Sequence, residues 1–169
     1  KSSEIVTAGY DKAVGKLGTL EKKKIRKGAQ MGMLNIWHPE ILDFIIAKQT
    51  PNRLTKFNLS VYIDPGFMDC VIDDKDWNLE FPDTKHSDYK SHWKGYLPEW
   101  KENYPNQTNI YTTLKARQIW DSIMKSTYNR AEPGIFFGDV ANLLNPLSYC
   151  EIILQTNPCQ PVWATVLTK

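Results

Sequence analysis

Residues 57–63 alternate without a break: Phe57, Leu59, Val61 and Ile63 are apolar, and Asn58, Ser60 and Tyr62 stand between them. Side chains on a strand point to opposite faces in turn, so this period of two predicts a strand with one face in a core. Asp64-Pro65-Gly66 follows at once and predicts a cap on a short helix through Phe67, Met68, Cys70 and Val71. A strand that turns into a helix within three residues constrains its neighbours to supply the other layers of an α/β fold.

The flanking sequence meets that demand. His38-Pro39-Glu40 predicts a helix start, with proline in the first turn, an acid beside it, and Ile41, Phe44 and Ile45 on one face. Trp77 to Phe81 reads as a short strand. Residues 82–108, polar and rich in proline and aromatics, predict a long surface excursion. Ala116, Ile119, Trp120, Ile123 and Met124 recur at helical spacing and predict a helix over 109–129, ended by Pro133-Gly134. Ile135 to Gly138 reads as a buried strand, Asn142 to Pro146 as a loop, and Cys150 to Leu154 as a last strand. A weaker helix, punctuated by glycine, is expected over 3–17. Sheets of this kind carry binding groups at strand ends, and both 28–32 and 156–159 fall at such loop positions.

Charge is uneven. Eight Lys/Arg and three Asp/Glu give residues 1–27 a net of +5, against +2 for the whole chain. Lys22-Lys23-Lys24-Ile25-Arg26-Lys27 suits contact with phosphate or serves as a solvated basic loop. The three cysteines, Cys70, Cys150 and Cys159, lack paired spacing, which points to reduced thiols and a cytoplasmic setting. Cys70 and Cys150 are expected to be packed thiols. His38, His86 and His92 lack metal-ligand spacing, so no metal site is expected and a surface role is assigned to them. Tyr89, Trp93, Tyr96 and Trp100 could stack on sugars or bases, or pin the excursion to the body of the fold. No apolar run is long enough for a bilayer span, and Lys1-Ser2-Ser3-Glu4 lacks a signal-peptide pattern. A chain opening on Lys1 is expected to be an excerpt.

Several separated motifs, in order, carry a resemblance. They are Arg26-Lys27-Gly28-Ala29-Gln30-Met31-Gly32, His38-Pro39-Glu40-Ile41, Leu54 to Val61, Trp77-Asn78-Leu79, Ala131-Glu132-Pro133-Gly134-Ile135, Asn145-Pro146, and Thr156-Asn157-Pro158-Cys159. Together they resemble the ribonucleotide reductases over about residues 1–159, the adenosylcobalamin-dependent (class II) enzymes most closely. The class I catalytic subunit, which receives its radical from a separate metal-containing subunit, is the nearest rival. The resemblance implies a partial slice of a ten-stranded α/β barrel, with the reactive cysteine on a finger loop inside it.

It also implies roles. Cys159 would carry a transient thiyl radical and take the 3′-hydrogen of a ribonucleotide. Asn157 and Pro158 would line the substrate, although Asn-Pro is also ordinary turn chemistry. Arg26, Lys27, Gly28, Ala29 and Gln30 would form the loop that relays effector identity to substrate choice; otherwise they are a basic surface turn. The segment ahead of them, Glu21-Lys22-Lys23-Lys24, departs from the family's Gly-rich lead. The implied partners are a ribonucleotide substrate, deoxynucleoside triphosphate or ATP effectors, adenosylcobalamin, and an external dithiol such as thioredoxin. The cofactor-binding segment and the redox cysteine pair are expected outside these residues. A homodimer of the full-length chain is expected, with no membrane and no direct nucleic-acid partner.

After Cys159 the family pattern fails. It reads Asn-Pro-Cys-Gly-Glu, with the glutamate as acid/base, whereas this chain has Gln160-Pro161, and proline transfers no proton. Residues 159–169 resemble the opening of an intein, with cysteine first and Val166-Leu167-Thr168 following. On that resemblance Cys159 is the splicing nucleophile, residues 1–158 belong to the barrel, and the isolated chain has no reductase activity. A frameshift or a simple divergence would leave the same residues. A nucleotide-binding module built on 22–27 is the non-enzymatic alternative.

Overall fold

The computed structural model of the chain describes residues 30–51, 53–156 and 163–168. At its centre lie three parallel strands, β1 (Gln30–Asn35), β2 (Phe57–Ile63) and β5 (Gly134–Phe137), in the order β1-β2-β5. Gln30 stands opposite Phe57 and Asn35 opposite Tyr62; Ser60 stands opposite Gly134 and Ile63 opposite Phe137. Parallel neighbours need crossover connections, and helices supply them. The fold is α/β, as the alternation of elements predicts.

Helices cover one face of this sheet. α1 (Ile41–Ile46), α2 (Phe67–Ile72) and α5 (Ala116–Arg130) send Ile41, Ile45, Phe67, Val71, Ala116, Ile119 and Ile123 against Val61 and Ile63, with Leu34 and Ile135 at the margin. These are the apolar positions that the helical spacing marks. Pro39, however, lies in the turn ahead of α1, and Glu40 is its N-cap residue.

The expectation that β2 has a single buried face is corrected. Ser60 and Tyr62 are 2% and 1% exposed, so the polar row is buried too. A central strand of a parallel sheet is covered on both sides, and its outward row must then find partners inside.

β3 (Asp76–Pro82) and β4 (Thr108–Lys115) form an antiparallel pair apart from this sheet. Residues 109–115, expected as the first turns of a helix, are therefore strand. Every apolar position that gives the helical period lies at or beyond Ala116, and α5 begins there. Thr108 to Thr113 are β-branched or aromatic in the main, and such residues favour a pleated neighbour. Between β3 and β4 the excursion is ordered by α3 (Tyr89–His92) and α4 (Leu97–Asn103). Trp100 and Leu97 are buried with Trp37, and Tyr89, Trp93, Phe81 and Tyr104 pack around them. Trp100 also donates its indole N–H to Gln107 O at 2.9 Å. The aromatics pin the excursion, as one of the two sequence readings holds.

The other face of the sheet meets α6 (Gly138–Leu143) and the antiparallel hairpin of β6 (Glu151–Thr156) and β7 (Trp163–Thr168). Asn142, expected in a loop, is in the last turn of α6. The expected helix over 3–17 lies outside the described residues. Among those described, no helix is long and apolar enough to cross a membrane.

Candidate active site

Of the residues marked by the sequence, Gln30 is described: it opens β1, is exposed, and its N–H bonds Lys56 O at 2.9 Å. Residues 30–32 are thus strand and not loop. Arg26, Lys27, Gly28, Ala29, Asn157, Pro158 and Cys159 lie outside the described residues. The elements that flank them are nevertheless in contact. β1 follows directly from 26–29, and β6 runs directly into 157–159. The Thr156 N–H points at Met33 Sδ at 3.3 Å, with its hydroxyl 3.9 Å from the same sulfur. A thioether is a weak acceptor that packs readily, so it suits a buried strand end. Thr156 is 1% exposed.

The direction of β6 follows from its contacts. Ile153 lies against Tyr62, which pairs with Asn35 near the end of β1, while Thr156 lies against Met33, which pairs with Ser60. β6 therefore runs back along the sheet, towards the end where Gln30 begins.

What holds β6 there is a set of side chains. The Asn142 amide donates to Ile153 O at 3.0 Å and to Gly138 O at 2.8 Å, and its oxygen accepts the Ile153 N–H at 2.7 Å. Tyr62 donates its hydroxyl to Ile153 O at 3.4 Å and stands 3.3 Å from the Asn142 amide. Burial, with Asp64 and Asp139 nearby, pushes the Tyr62 phenol well above its ordinary value, so it remains a neutral donor. Gly138 makes this arrangement sterically possible: a Cβ there would lie 1.8 Å from Tyr62 Cζ.

A second group gathers at the C-terminal ends of the parallel strands, where α/β sheets bind ligands. Trp37 lies beyond the end of β1, Asp64 directly follows β2, and Asp139 is in the first turn of α6 after β5. Asp64-Pro65-Gly66 leads into α2 as expected, with Gly66 as the N-cap residue at φ 81° and no side-chain cap from the Asp64 carboxylate. Both Asp64 oxygens are buried without a hydrogen-bond partner. Burial and then the Asp139 charge push this carboxyl up to about 7; the Trp37 indole that faces it works the other way without reaching ordinary hydrogen-bond geometry. Tyr96, over the same spot, is raised by burial and by Asp64. Glu80 is a useful contrast: equally enclosed, it accepts from Lys101 at 2.8 Å and from Thr108 at 3.1 Å.

The remaining candidates are structural. His38 is half-buried, lowered in pKa by that burial, and its Nδ1 accepts the Glu40 N–H at 3.1 Å, so it holds a turn instead of sitting free on the surface. Cys70 packs at the core margin, and the half-exposed Cys150 thiol donates to Leu147 O at 3.4 Å. A cavity of about 340 Å³ is lined by His92, Trp93, Tyr96, Trp100 and Tyr104 among others. Tyr62, Asn142, Met33 and Asp64 are the residues that sequence reasoning missed. A tyrosine in the polar row of a central strand was the available signal.

The family described as "Ribonucleotide reductase, barrel domain" matches residues 9–164. A vitamin B12-dependent ribonucleoside-diphosphate reductase from Thermoplasma acidophilum is 35% identical over 135 residues, covering 79% of this chain and 15% of that protein. One of the same description from Mycobacterium tuberculosis is 30% identical over 154 residues, covering 90% of this chain and 18% of its own length. The alpha subunit of a ribonucleoside-diphosphate reductase from Helicobacter pylori is 25% identical over 155 residues, covering 89% of this chain and 19% of that protein. The chain thus spans less than a fifth of the length of these relatives. The match over residues 9–164, with identities of 35% and 30% to the two B12-dependent enzymes, leads to one conclusion: the chain belongs to the ribonucleotide reductase barrel-domain family.

Proposed function

We propose that this chain forms part of a ribonucleoside-diphosphate reductase of the adenosylcobalamin-dependent class. The observation that carries the class is the identity of 35% and 30% to relatives named vitamin B12-dependent, against 25% to a relative named only as a reductase alpha subunit. The sheet supplies a rigid back for β6, and β6 delivers the chain to Asn157-Pro158-Cys159. A thiyl sulfur at position 159 takes hydrogen from C3′, forming S–H and leaving a carbon radical; the 2′-hydroxyl then departs as water with a proton from the dithiol, whose second proton goes with the two electrons to C2′. Two electrons come from a dithiol, which ends as a disulfide, and the thiol returns its hydrogen to C3′. Asn157 offers both a donor and an acceptor to substrate hydroxyls, and Pro158 shapes the turn beside it. Arg26 to Gln30 would answer to a deoxynucleoside triphosphate or ATP effector.

A cavity of about 340 Å³ among the described residues, lined by His92, Trp93, Tyr96 and Trp100 among others, is at the small end for any ligand and does not fit a corrinoid. Adenosylcobalamin would be seated by other parts of the protein, and no step here is routed through it. A thioredoxin-like reductant, a homodimer of the full-length chain and a cytoplasmic location complete the proposal. Its test is turnover of a ribonucleoside diphosphate by the full-length protein with a dithiol, with and without adenosylcobalamin. Product only in its presence is expected; product in its absence would favour the class I rival.

A second reading is favoured by Gln160-Pro161 standing where the family has Gly-Glu. Here residues 1–158 are barrel and 159–169 open an intein. The Cys159 sulfur attacks the Pro158 carbonyl carbon, the peptide nitrogen takes the proton, and a thioester replaces the amide. Peptide mapping of the mature protein across Pro158 tests it. Pro158 joined to Cys-Gly-Glu is expected, and Pro158 joined to Cys159-Gln160-Pro161 in active protein would exclude splicing.

A further inference from the structure

The β6–β7 hairpin is joined to the parallel sheet in an unusual way. Among the described residues β6 has one ladder partner, β7, and neither strand pairs with β1, β2 or β5. β6 is attached through side chains to the sheet face opposite α1, α2 and α5. Asn142 takes both the N–H and the C=O of Ile153, as a neighbouring strand would, at 2.7 and 3.0 Å. Tyr62 adds its hydroxyl to the same carbonyl at 3.4 Å, and Met33 receives the Thr156 N–H at 3.3 Å.

We propose that Asn142 is a positioning residue, with Tyr62 and Met33 as its supports: together they fix the depth and register of β6, the strand that leads in sequence to Asn157-Pro158-Cys159. The inference rests on the reductase reading for its functional part. Its geometric part stands alone.

Three observations argue for positioning over mere packing. First, Asn142 satisfies a donor and an acceptor of one residue, so it fixes the strand along its length as well as against the sheet. A one-residue slip would put a side chain of the wrong face against it. Second, its amide is itself held by the Gly138 carbonyl at 2.8 Å, and Gly138 has no room for a side chain beside Tyr62. The clamp is thus preorganised by groups of β2 and α6 that hold one another. Third, the attachment lies next to the chemistry: Thr156, the last clamped residue, immediately precedes Asn157. Hydrogen abstraction demands near-contact geometry, and displacement of about 1 Å can cost on the order of 100-fold in rate.

The test compares full-length wild type, Asn142→Ala and Tyr62→Phe. Hydrogen exchange at the Ile153 amide reads the clamp, and steady-state kinetics read its consequence. In Asn142→Ala the amide should exchange about 3- to 10-fold faster, with kcat reduced about tenfold or more and KM within about twofold. Tyr62→Phe removes one oxygen only and should give a smaller loss of the same kind; it carries the test if Asn142→Ala does not fold. Faster exchange with wild-type kcat in both variants would overturn the positioning role. Unchanged Ile153 exchange would overturn the clamp itself. A wild-type protein without turnover counts against the reductase reading, and the exchange measurement then still decides the clamp.

Discussion

Asp64 shows how far a single side chain can depart from its sequence signature. Asp-Pro-Gly ahead of a helix reads as a cap, and Gly66 fills that place; the Asp64 carboxylate, which could have supplied the capping bond, is instead buried with no partner. Its carboxyl is raised from 3.8 to about 7, so the folded chain keeps a proton that the unfolded chain has released. Stability from this group is therefore greatest below about pH 4 and falls as pH rises to about 7. The displacement from 3.8 to about 7 sets a ceiling of about 4 kcal/mol on the loss. Asp64→Asn should remove the dependence, and urea midpoints at pH 5 and pH 8 measure it. A variant that keeps the wild-type difference between the two midpoints would show that Asp64 is not the source. Gly138 offers a second prediction at this scale. Gly138→Ala places a Cβ into the Tyr62 ring and should destabilise by about 3 kcal/mol or more in the same assay. A loss below about 1 kcal/mol would mean that the ring moves freely.

Elements with a strong period were legible, and those defined by a partner were not. β2 is bounded at 57 and 63 as its alternation predicts, because each alternate residue meets a fixed helix layer. The same period could not reveal that Ser60 and Tyr62 face a second layer, since burial of polar residues depends on distant partners such as Asn142. β4 failed as a sequence reading for a related reason. It is exposed on both faces and has no alternation to detect; only pairing with β3 defines it. Within α5 the period predicts energetics as well as structure. Ile123→Ala should cost about 2–5 kcal/mol, because Ile123 is fully buried in the core cluster formed by the sheet and its helices. Tyr128→Ala, at a position 92% exposed, should stay within about 0.5 kcal/mol. Thermal unfolding of both variants checks the contrast, and equal losses would contradict the assigned face.

At the scale of the molecule, ordered motifs identified the family before any coordinates, and the match over residues 9–164 agrees. The candidate site was legible only as a chain position. Its attachment depends on residues from three elements that no local pattern connects: Met33 on β1, Tyr62 on β2 and Asn142 on α6. The sheet presents helices to one side and this hairpin to the other, which is how a barrel wall would carry a loop on its inner face. The central claim is that the cysteine after Pro158 performs the reduction. It is tested most directly by replacing that cysteine with alanine in the mature full-length protein, Cys159→Ala if the chain is unspliced. Deoxyribonucleotide formation is then measured with adenosylcobalamin and a dithiol. The account predicts turnover in the parent and none in the variant; equal turnover in the two would contradict it.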